Sequence, residues 1–548
     1  MGWLLLFTSR TLSRKLAITA LATLAIGGVI AWPAANPRIA SAASGLPFDD
    51  IAGSYAQADI ISLYKQGIVG GTGPRTFEPG KAVTRAEFAS MVVRLFGLES
   101  INASLPAFKD ARPDAWYYGA VGAVSQLGIV SGVSANEFHP SAPVTREQAA
   151  AILVRALRLA AVSAASASVS YSDASRIDAW AVSAVRTATE AGLMQGDNGR
   201  FRPLDQLTRA ETAALLNRVA SRSEWAAQFK SAPKIGLQLG WQYGQTTSQY
   251  IASVSRSTVN TLVPRVFFLD SGSSFSESID PALVKWASAN GKQVWGMFGN
   301  RSNADNTHAL LSSATNRKTV VAGVASLVQK HGMDGINLDF ENVLPVDRAG
   351  LTAFVSELAT ALDKIGAVLS VDVSPDQEDD WTAAFDYAAL GKSADYMVLM
   401  AYDEHWAGDP VAGSVSSLPW LERGTDKLLK SVPASKTIVA LPLYTRDWTI
   451  YPKVSSSELS IADQTKYIES LASANRSWND EFGQYIYTYA KSGATHRIWT
   501  EDSRSLTLKS LSAASRGTAG LAYWAIGSDT PDVWPSIRNA YKFASFKP

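Results

Sequence analysis

Residues 336–341 alternate strictly between apolar and polar side chains, in the order Ile-Asn-Leu-Asp-Phe-Glu. A period of two is typical of a β-strand, whose successive side chains point to opposite faces. The alternation separates two sets of side chains: Asn337, Asp339 and Glu341 on one face, and Ile336, Leu338 and Phe340 on the other. Two carboxylates are thus brought together, and we expect their proximity and partial burial to raise the pKa of one of them. The alternative is an ordinary strand that ends in a solvated acidic turn.

Short apolar runs separated by amphipathic segments continue through the C-terminal part of the chain. Eight runs are candidate strands: Ile235 to Leu239, Thr261 to Leu269, Gln293 to Phe298, Gly335 to Phe340, Leu369 to Val373, Tyr396 to Ala401, Thr437 to Leu443 and Gly520 to Ile526. Helical patterns such as 317–331 and 349–365 lie between them. Eight such alternations predict an α/β fold, a (β/α)8 TIM barrel whose active site lies at the C-terminal ends of the strands. Residues 449–500 are too long for a turn, and we expect an insertion or lid beside the cleft.

A different pattern, repeated three times, occupies residues 46–220. Each unit opens with an aromatic residue shortly before an aspartate, continues into a helix ended by glycine, and then has an aromatic residue followed by a proline. Each unit next reaches a helix that starts with Thr-Arg-Ala-Glu or, in the second unit, Thr-Arg-Glu-Gln, which is the sequence of a capping box. We therefore expect a mainly α-helical module of three repeats, with a connector at residues 160–170.

The beginning of the chain has the pattern of an export signal. Basic residues precede an apolar run at 16–32, and Ala40-Ser41-Ala42 supplies the small residues of a cleavage site. We expect cleavage after about Ala42; the alternative is an uncleaved anchor helix. The domain boundaries predicted are 1–42 for the signal peptide, 46–105, 106–168 and 169–222 for the three repeats, and 232–548 for the barrel.

Composition excludes several classes of function. The 548 residues carry a formal net charge of +1, which gives no electrostatic argument for nucleic acid or for an anionic membrane surface after the signal is removed. With five histidines, no cysteine and no glycine-rich phosphate loop, we expect no metal site and no cofactor.

Polar and aromatic side chains stand near the ends of several candidate strands. They are Asp339, Glu341, Asp372, Tyr402, Asp403, Tyr444, Arg446 and Trp524. Convergent carboxylates and hydroxyls beside an aromatic floor suit a carbohydrate, whose hydroxyls form hydrogen bonds while its CH faces stack. Glu501 and Asp502 are left open between ion pairing in a loop and lining the cleft.

The three repeats resemble the S-layer homology domain. That resemblance implies a pseudo-threefold helical module that binds a secondary cell-wall polysaccharide, often pyruvylated, on a Gram-positive surface. It places polymer contacts at Arg85, Arg146 and Arg209, where an arginine fork beside free helix N-terminal NH groups would suit a carboxylate. Trp116 and Trp180 would offer flat faces to sugar rings. The alternative is that these residues only cap helices and fill cores.

The barrel resembles glycoside hydrolase family 18, through Asp-Gly-x-Asn-x-Asp-x-Glu at 334–341, Met-Ala-Tyr-Asp at 400–403 and Tyr-Trp at 523–524. Longer matches are similar to its spore-cortex and cell-wall branch, the YaaH-like N-acetylglucosaminidases. The resemblance implies retaining hydrolysis in which the 2-acetamido group of the substrate is the nucleophile. Glu341 would be the acid, Asp339 would orient the acetamide, and Tyr402 would bond its oxygen. Trp524 would form the floor of the subsite.

Further residues are expected at the rim of the cleft, and the substrate has three candidate identities. Asp403, Tyr444 and Arg446 are expected to contact the glycan, and Asn337 stands where many chitinases of the family have Asp, so the pH profile is expected to differ from theirs. The leading hypothesis is a wall-tethered enzyme that cleaves peptidoglycan at N-acetylglucosamine. A chitinase and a catalytically silent sugar-binding S-layer protein are the alternatives.

Overall fold

The computed structural model describes residues 46–162, 171–471 and 474–548. The predicted signal peptide, residues 1–42, and most of the predicted connector at 160–170 lie outside the described residues. The described chain begins with a helical region and continues into a barrel, as the sequence pattern predicts.

In the described residues before 231, the chain forms seven α-helices. They are α1 (Gln57–Lys65), α2 (Arg85–Phe96), α3 (Tyr118–Gln126), α4 (Arg146–Ala156), α5 (Val182–Glu190), α6 (Arg209–Ala220) and α7 (Ser223–Lys230). The capping boxes predicted from the repeats are present: Thr84, Thr145 and Thr208 each accept from the backbone NH three residues later and are bonded in return. These caps satisfy backbone groups that the first helical turn leaves without partners.

The aspartate that opens each repeat holds a later loop of the same repeat. Asp50 accepts from the backbone NH groups of Phe77 and Glu78, at 2.9 and 2.7 Å. Asp110 and Asp173 make the equivalent pairs of bonds in the second and third repeats. The recurrent aspartate is therefore a loop-fixing residue.

The three repeats close into a ring through backbone hydrogen bonds. Val83 donates to the carbonyl of Leu207 at 2.9 Å, Leu207 to that of Val144 at 3.1 Å, and Val144 to that of Val83 at 2.9 Å. Each repeat thus donates to one neighbour and accepts from the other, which is the pseudo-threefold arrangement that the resemblance implied.

The described residues of 237–545 form fifteen strands and ten further α-helices. The strands are β1 (Leu237–Trp241), β2 (Thr261–Val263), β3 (Arg265–Ser271), β4 (Ser274–Glu277), β5 (Gln293–Gly299), β6 (Gly335–Asp339), β7 (Val368–Val373), β8 (Tyr396–Met400), β9 (Thr437–Pro442), β10 (Tyr444–Tyr451), β11 (Ser455–Ser460), β12 (Asn475–Asn479), β13 (Gln484–Lys491), β14 (Ala494–Trp499) and β15 (Gly520–Trp524). The helices are α8 (Thr247–Ser255), α9 (Pro281–Ala289), α10 (Ala304–Leu311), α11 (Ala314–His331), α12 (Arg348–Asp363), α13 (Tyr387–Ser393), α14 (Leu418–Leu429), α15 (Ile461–Glu469), α16 (Ser503–Ser515) and α17 (Val533–Ser545).

Eight parallel strands close into the predicted (β/α)8 barrel. Their order is β1, β2, β5, β6, β7, β8, β9 and β15, and β15 pairs with β1 to complete the ring. The second predicted strand is divided at Pro264: β2 ends before it, and β3 continues the same path, pairing with β5 and with its hairpin partner β4. Proline has no NH to donate to a ladder, which accounts for the division.

The predicted insertion follows the seventh barrel strand as a separate antiparallel sheet, in the order β11, β10, β14, β13, β12, with α15 connecting β11 to β12. Tyr444 and Arg446 were expected at the end of the seventh barrel strand. They lie instead on β10, the strand of the inserted sheet that follows β9 after Leu443. Their side chains therefore approach the barrel from the insertion.

The repeat module packs directly on the barrel, and residues 47–548 form one compact unit. Gln126 donates to Ser503 at 2.8 Å and accepts from Thr507 at 3.1 Å, with all three side chains buried. Ser104 bonds Asp532 through both its backbone NH and its hydroxyl. Leu105 belongs to a buried cluster on the insertion, with Ile468, Tyr485, Tyr487, Tyr489 and Ile498. Apolar contact and satisfied polar bonds thus join the two parts.

Candidate active site

The interior of the barrel is apolar at its base and becomes polar at the C-terminal ends of its strands. Buried side chains from several strands form the interior cluster, including Trp241, Val263, Met297, Val398 and Ala440. Because strand side chains alternate, the residue two places further along each strand points to the same side, one layer nearer the opening. We call this opening the barrel mouth, and its residues, linked by ring contacts and by charge interactions, are Tyr243, Arg265, Asp339, Asp372, Tyr402 and Trp524.

Asn337 is fully buried and fixes the lower layer of the barrel mouth. Its side-chain oxygen accepts from the Trp241 indole NH at 2.9 Å, and its amide donates to Ser370 at 3.0 Å and to Asp372 at 2.7 Å. These bonds link β6, which carries Asn337, to β1 and β7. Asn337 therefore holds Asp372 in place and lies one layer beneath the position expected for substrate.

Asp339 and Asp372 are acids in an environment that disfavours their charge. Burial, together with the negative charge of Glu341, raises the pKa of Asp339 to about 7, while Arg265 opposes the rise. Burial, and next the charge of Asp339, raises the pKa of Asp372 well above its usual range. One oxygen of each carboxyl, Oδ1 of Asp339 and Oδ2 of Asp372, is buried without a hydrogen-bond partner. The predicted rise in acid pKa is therefore found at Asp339.

Glu341 lies just beyond the end of β6 and is held by residues that follow β5. Ser302 donates to its Oε2 at 2.8 Å. Asn300 accepts from the backbone NH of Glu341 at 3.1 Å and donates to its carbonyl at 2.7 Å. Strand β6 and the loop after the neighbouring strand β5 thus fix Glu341 beside Asp339. The charge of Glu341 contributes to the raised pKa of Asp339.

Trp524 and the aromatic residues of the first strand form one wall of the barrel mouth. The ring centroid of Trp524 lies 5.9 Å from that of Trp241 and 5.4 Å from that of Tyr243. Trp524 is half-buried and Tyr243 is exposed, so both rings offer surface to a ligand. Such faces stack well on the CH side of a pyranose.

Tyr402, Asp403, Tyr444 and Arg446 form the opposite rim. Burial, and next the charge of Asp372, raises the pKa of Tyr402 well above its usual value, so its hydroxyl stays protonated. The Tyr444 hydroxyl donates to Asp403 at 2.5 Å, and burial raises the pKa of Asp403. Arg446 is buried, 3.6 Å from Glu458, and its Nε has no hydrogen-bond partner. The insertion therefore contributes a fixed cation and a hydroxyl to this rim.

Sequence reasoning missed two residues of the barrel mouth, Tyr243 and Arg265, and two that hold Glu341, Asn300 and Ser302. Tyr243 and Arg265 follow the inward-facing Trp241 and Val263 by two residues, a spacing from which they were predictable. Asn300 and Ser302 stand in the loop after β5, where sequence gives no comparable signal.

Glu501 and Asp502, left open by the sequence, have structural roles. Glu501 makes a buried ion pair with Lys509, and Asp502 caps the N-terminus of α16 by accepting from Arg504 and Ser505. Neither residue is part of the barrel mouth.

The repeat module places the three predicted arginines in equivalent buried positions. Arg85 donates to the carbonyls of Phe138 and Ser131, at 2.8 and 2.9 Å, and its guanidinium lies 4.6 Å from the centroid of the Phe138 ring. Arg146 and Arg209 make the same contacts with the third and the first repeat. Each arginine therefore joins its own repeat to the next.

The helix N-terminal NH groups beside these arginines are not free, contrary to expectation. The backbone NH of Arg85 donates to Ala142, that of Arg146 to Asp205 and that of Arg209 to Lys81. Trp116 and Trp180 are 55% and 52% exposed, and Tyr55 of the first repeat is 73% exposed. Each repeat thus exposes an aromatic side chain, whereas its arginine is buried.

Within residues 46–162, 171–471 and 474–548, no three His, Asp or Glu side chains are placed to share a metal ion. In the same part of the chain, no helix has the length and hydrophobicity that a bilayer crossing needs.

Comparison with known families identifies both parts of the chain. Residues 265–529 match the model of glycosyl hydrolases family 18. Residues 47–89, 107–150 and 170–213 each match the model of the S-layer homology domain. The chain therefore carries a family 18 glycosidase domain preceded by three S-layer homology domains, and both resemblances seen in the sequence are confirmed.

Known relatives match the barrel. The uncharacterized glycosylase YvbX of Bacillus subtilis (strain 168) is 28% identical over 324 residues, which are 57% of this chain and 93% of that protein. A cortical fragment-lytic enzyme of Bacillus cereus is 30% identical over 242 residues, 42% of this chain, and the match spans only 55% of that enzyme. The crystal structure of the Bacillus cereus spore cortex-lytic enzyme SleL shares the fold, with a TM-score of 0.52 and 21% identity over 57% of this chain and 75% of that one.

Proposed function

We propose that this chain is a cell-surface-anchored glycosidase that cleaves β-1,4 bonds at N-acetylglucosamine residues of peptidoglycan. The observation that carries the proposal is the buried, unpartnered Oδ1 of Asp339 beside Glu341 at the barrel mouth. Leaving a buried acceptor unsatisfied costs free energy, so we expect this oxygen to accept a hydrogen bond from a bound ligand, such as the NH of a substrate acetamide. The family 18 match and the cortical fragment-lytic relative support the same assignment.

The reaction would use the substrate's own acetamide. Glu341, oriented by Ser302, would protonate the departing glycosidic oxygen and then activate water. Asp339 would accept the acetamide NH and hold the carbonyl oxygen against the anomeric carbon, and it would stabilise the cation that forms. Tyr402, kept protonated, would donate to the acetamide oxygen, while Trp524 would support the sugar ring.

The rim of the barrel mouth would bind the neighbouring sugars. Asp403 and Tyr444 are already bonded to each other, so they would present a fixed acceptor and hydroxyl to the glycan. Arg446 would add a donor from the inserted sheet. Asn337 would act through Asp372, which it holds from below.

Glu341→Gln tests the catalytic assignment. The amide keeps the shape of the acid and removes its proton, so we expect kcat to fall about 100-fold or more on peptidoglycan glycan, with unchanged thermal unfolding. Glu357→Gln on α12, paired with Arg317 outside the barrel mouth, is the matched control. Hydrolysis by Glu341→Gln at the parent rate would overturn the assignment. Released reducing ends from chitin and from peptidoglycan, compared side by side, separate this function from that of a chitinase.

We also propose that the S-layer homology domains bind a secondary cell-wall polysaccharide, pyruvylated or otherwise anionic, and hold an exported enzyme on a Gram-positive wall. Tyr55 supports this idea, because partial burial, and next the charge of Glu211 in the third repeat, raises its pKa, while Arg146 of the second repeat opposes the rise. Side chains of all three repeats thus meet at one groove. Arg85, Arg209, Trp116 and Trp180 occupy equivalent places.

Sedimentation with sacculi tests the anchor. The protein should sediment with native sacculi and remain in solution with sacculi stripped of secondary polymer. The double variant Trp116→Ala with Trp180→Ala should bind native sacculi less tightly, since each ring is exposed and its loss leaves the fold intact. Equal sedimentation with both kinds of sacculi would refute the ligand assignment. The alternative function, a catalytically silent sugar-binding protein, predicts that the chain binds glycan without hydrolysing it.

A further inference from the structure

Arg265 is a cation in the barrel mouth that no anionic side chain neutralises directly. Its guanidinium lies between two aromatic rings, 5.1 Å from the centroid of Tyr243 and 5.0 Å from that of Phe268. Its Nε is buried and has no hydrogen-bond partner. Across the described residues, its side chain makes no hydrogen bond and no ion pair. The other two arginines of this region are paired, Arg301 with Asp270 and Arg446 with Glu458.

The Arg265 side chain lies on the side of the barrel that carries the reacting groups. Val263 belongs to the barrel interior, and Arg265 follows it by two residues, across the proline that divides the strand. Its charge opposes the rise in the pKa of Asp339, which requires the guanidinium to lie near that carboxyl. Arg265 is also half-buried, so its charge is only partly screened by water.

A second cation extends the arrangement along the Glu341 side. The guanidinium of Arg301 lies 4.8 Å from the centroid of Phe268, the ring that also contacts Arg265. The next residue, Ser302, donates to Glu341. In the proposed reaction Glu341 protonates the leaving oxygen, so the sugar beyond that oxygen, the leaving-group sugar, lies along this side.

Chitin and peptidoglycan differ in charge at that sugar. Every residue of chitin is uncharged N-acetylglucosamine. In peptidoglycan the alternate sugar carries a lactyl ether, whose carboxyl is free when the peptide has been removed and otherwise carries an acidic peptide. A planar guanidinium binds a carboxylate through two parallel hydrogen bonds, and such charged bonds are among the strongest that proteins make.

We propose that Arg265, with Arg301 against the same Phe268 ring, selects glycans that carry a carboxylate on the leaving-group sugar. The inference rests on the proposed function and narrows it, because it assigns the enzyme to bonds between N-acetylglucosamine and a muramic acid unit. The competing role of Arg265 is that of a counter-ion to Asp339 alone. That role affects charged and neutral substrates equally, so substrate charge separates the two.

The experiment compares two glycans that differ only in this carboxylate: peptide-free strands with a free lactyl carboxylate, and the same strands after methyl esterification. We expect the parent enzyme to have a kcat/KM about tenfold or more higher on the acid than on the ester. In Arg265→Met this ratio should fall to about one, and in Arg301→Met it should fall part of the way. Arg423→Met, exposed on α14, is the control and should keep the parent ratio.

Two results overturn the proposal: a parent enzyme that does not distinguish acid from ester, or an Arg265→Met variant that loses the same factor on both. Equilibrium binding of both strands to the Glu341→Gln variant gives a second readout that needs no turnover. If the parent hydrolyses neither strand, the proposed function fails, and the binding ratio still decides the role of Arg265. Strands that retain their peptides form a third arm, which shows whether the carboxylate is that of the lactyl group or of the peptide.

Discussion

The repeat module and the barrel mouth both bury charged side chains, and they differ in how those side chains are satisfied. In the module, the guanidinium of Arg209 stacks on Phe77 and donates to two carbonyls of the first repeat, and its two counterparts do the same. In the barrel mouth, Asp339 and Asp372 each keep a buried oxygen without a partner, and Arg265 keeps an unbonded Nε. Charge that is fully bonded stabilises the fold, whereas charge left unbonded raises the free energy of the empty site and is available to a ligand.

The largest effect is expected from Asp339→Asn. Loss of the carboxylate that orients and stabilises the reacting acetamide should lower kcat about 100- to 1000-fold. The thermal midpoint should not fall at pH 8. The folded-state pKa of about 7 exceeds the ordinary value of 3.8, so the folded protein holds this proton more tightly than the unfolded chain does. Ionised Asp339 therefore destabilises the fold above pH 7, and that cost is absent below about pH 4.

Calorimetry at pH 8 and at pH 4 checks this prediction alongside the kinetics. The stability of Asp339→Asn should equal or exceed that of the parent at pH 8, and the two should converge at pH 4. A large loss of stability at pH 8 would mean that Asp339 is a structural residue.

The second largest effect is expected on stability, from Arg209→Met in the module. The substitution leaves the carbonyls of Phe77 and Gly70 without a donor, so we expect a loss of about 2–4 kcal/mol in the free energy of unfolding. Urea unfolding measures it. Arg112→Met removes an arginine whose ion pair with Asp114 is exposed, and it should cost less than about 1 kcal/mol. Equal losses in the two variants would contradict the structural role.

A moderate effect on pH dependence is expected from Asn337→Asp. The parent should lose kcat/KM as pH falls through about 7, because Asp339 then becomes protonated. An aspartate at 337 would stand within hydrogen-bond distance of Asp372, and the two would have to share a proton. The acid limb should therefore move to higher pH by about one unit. Asn136→Asp, exposed in the module, should leave the profile unchanged.

The smallest effect is expected from Gln148→Glu in the second repeat. In the other two repeats the equivalent residue is a glutamate near the arginine of the preceding repeat, Glu87 at 3.5 Å from Arg209 and Glu211 at 4.0 Å from Arg146. Arg85 faces Gln148 instead, at 3.4 Å. A carboxylate there would neutralise this groove, so affinity for the anionic polymer should fall about two- to fivefold.

A binding isotherm on native sacculi measures the change, with Gln66→Glu, exposed at the end of α1, as the control. An unchanged affinity in Gln148→Glu would show that the polymer does not use the groove of Arg85.

Local pattern was sufficient for much of the fold. The barrel strands were predictable because apolar runs alternate with helical segments, and Asp339 and Glu341 because a period of two places them on one face. The three repeats and their capping boxes were predictable because the same spacings recur. The resemblance to two families added the residue roles, which remain predictions until the substitutions above are made.

Long-range closure was not predictable. Arg209 appeared to stand at a free helix end because nothing local shows that Phe77, 132 positions earlier, closes the ring against it. Ser302 reaches Glu341 from 39 positions away. Tyr444 and Arg446 were placed on the wrong element because a strand that continues from the barrel into another sheet has the same apolar pattern as a longer barrel strand.

The buried bonds of Gln126 with Ser503 and Thr507 join the module to the outer helix of the barrel without an intervening linker. Under the proposed function, an anchored molecule cannot swing its cleft across the wall, as an enzyme on a long tether would. It reaches only those glycan strands that lie within its own dimensions. Hydrolysis over a wider area of the wall depends on repeated release and rebinding of the anchor. The tightness of the anchor therefore sets an upper limit on the rate at which an intact wall is degraded.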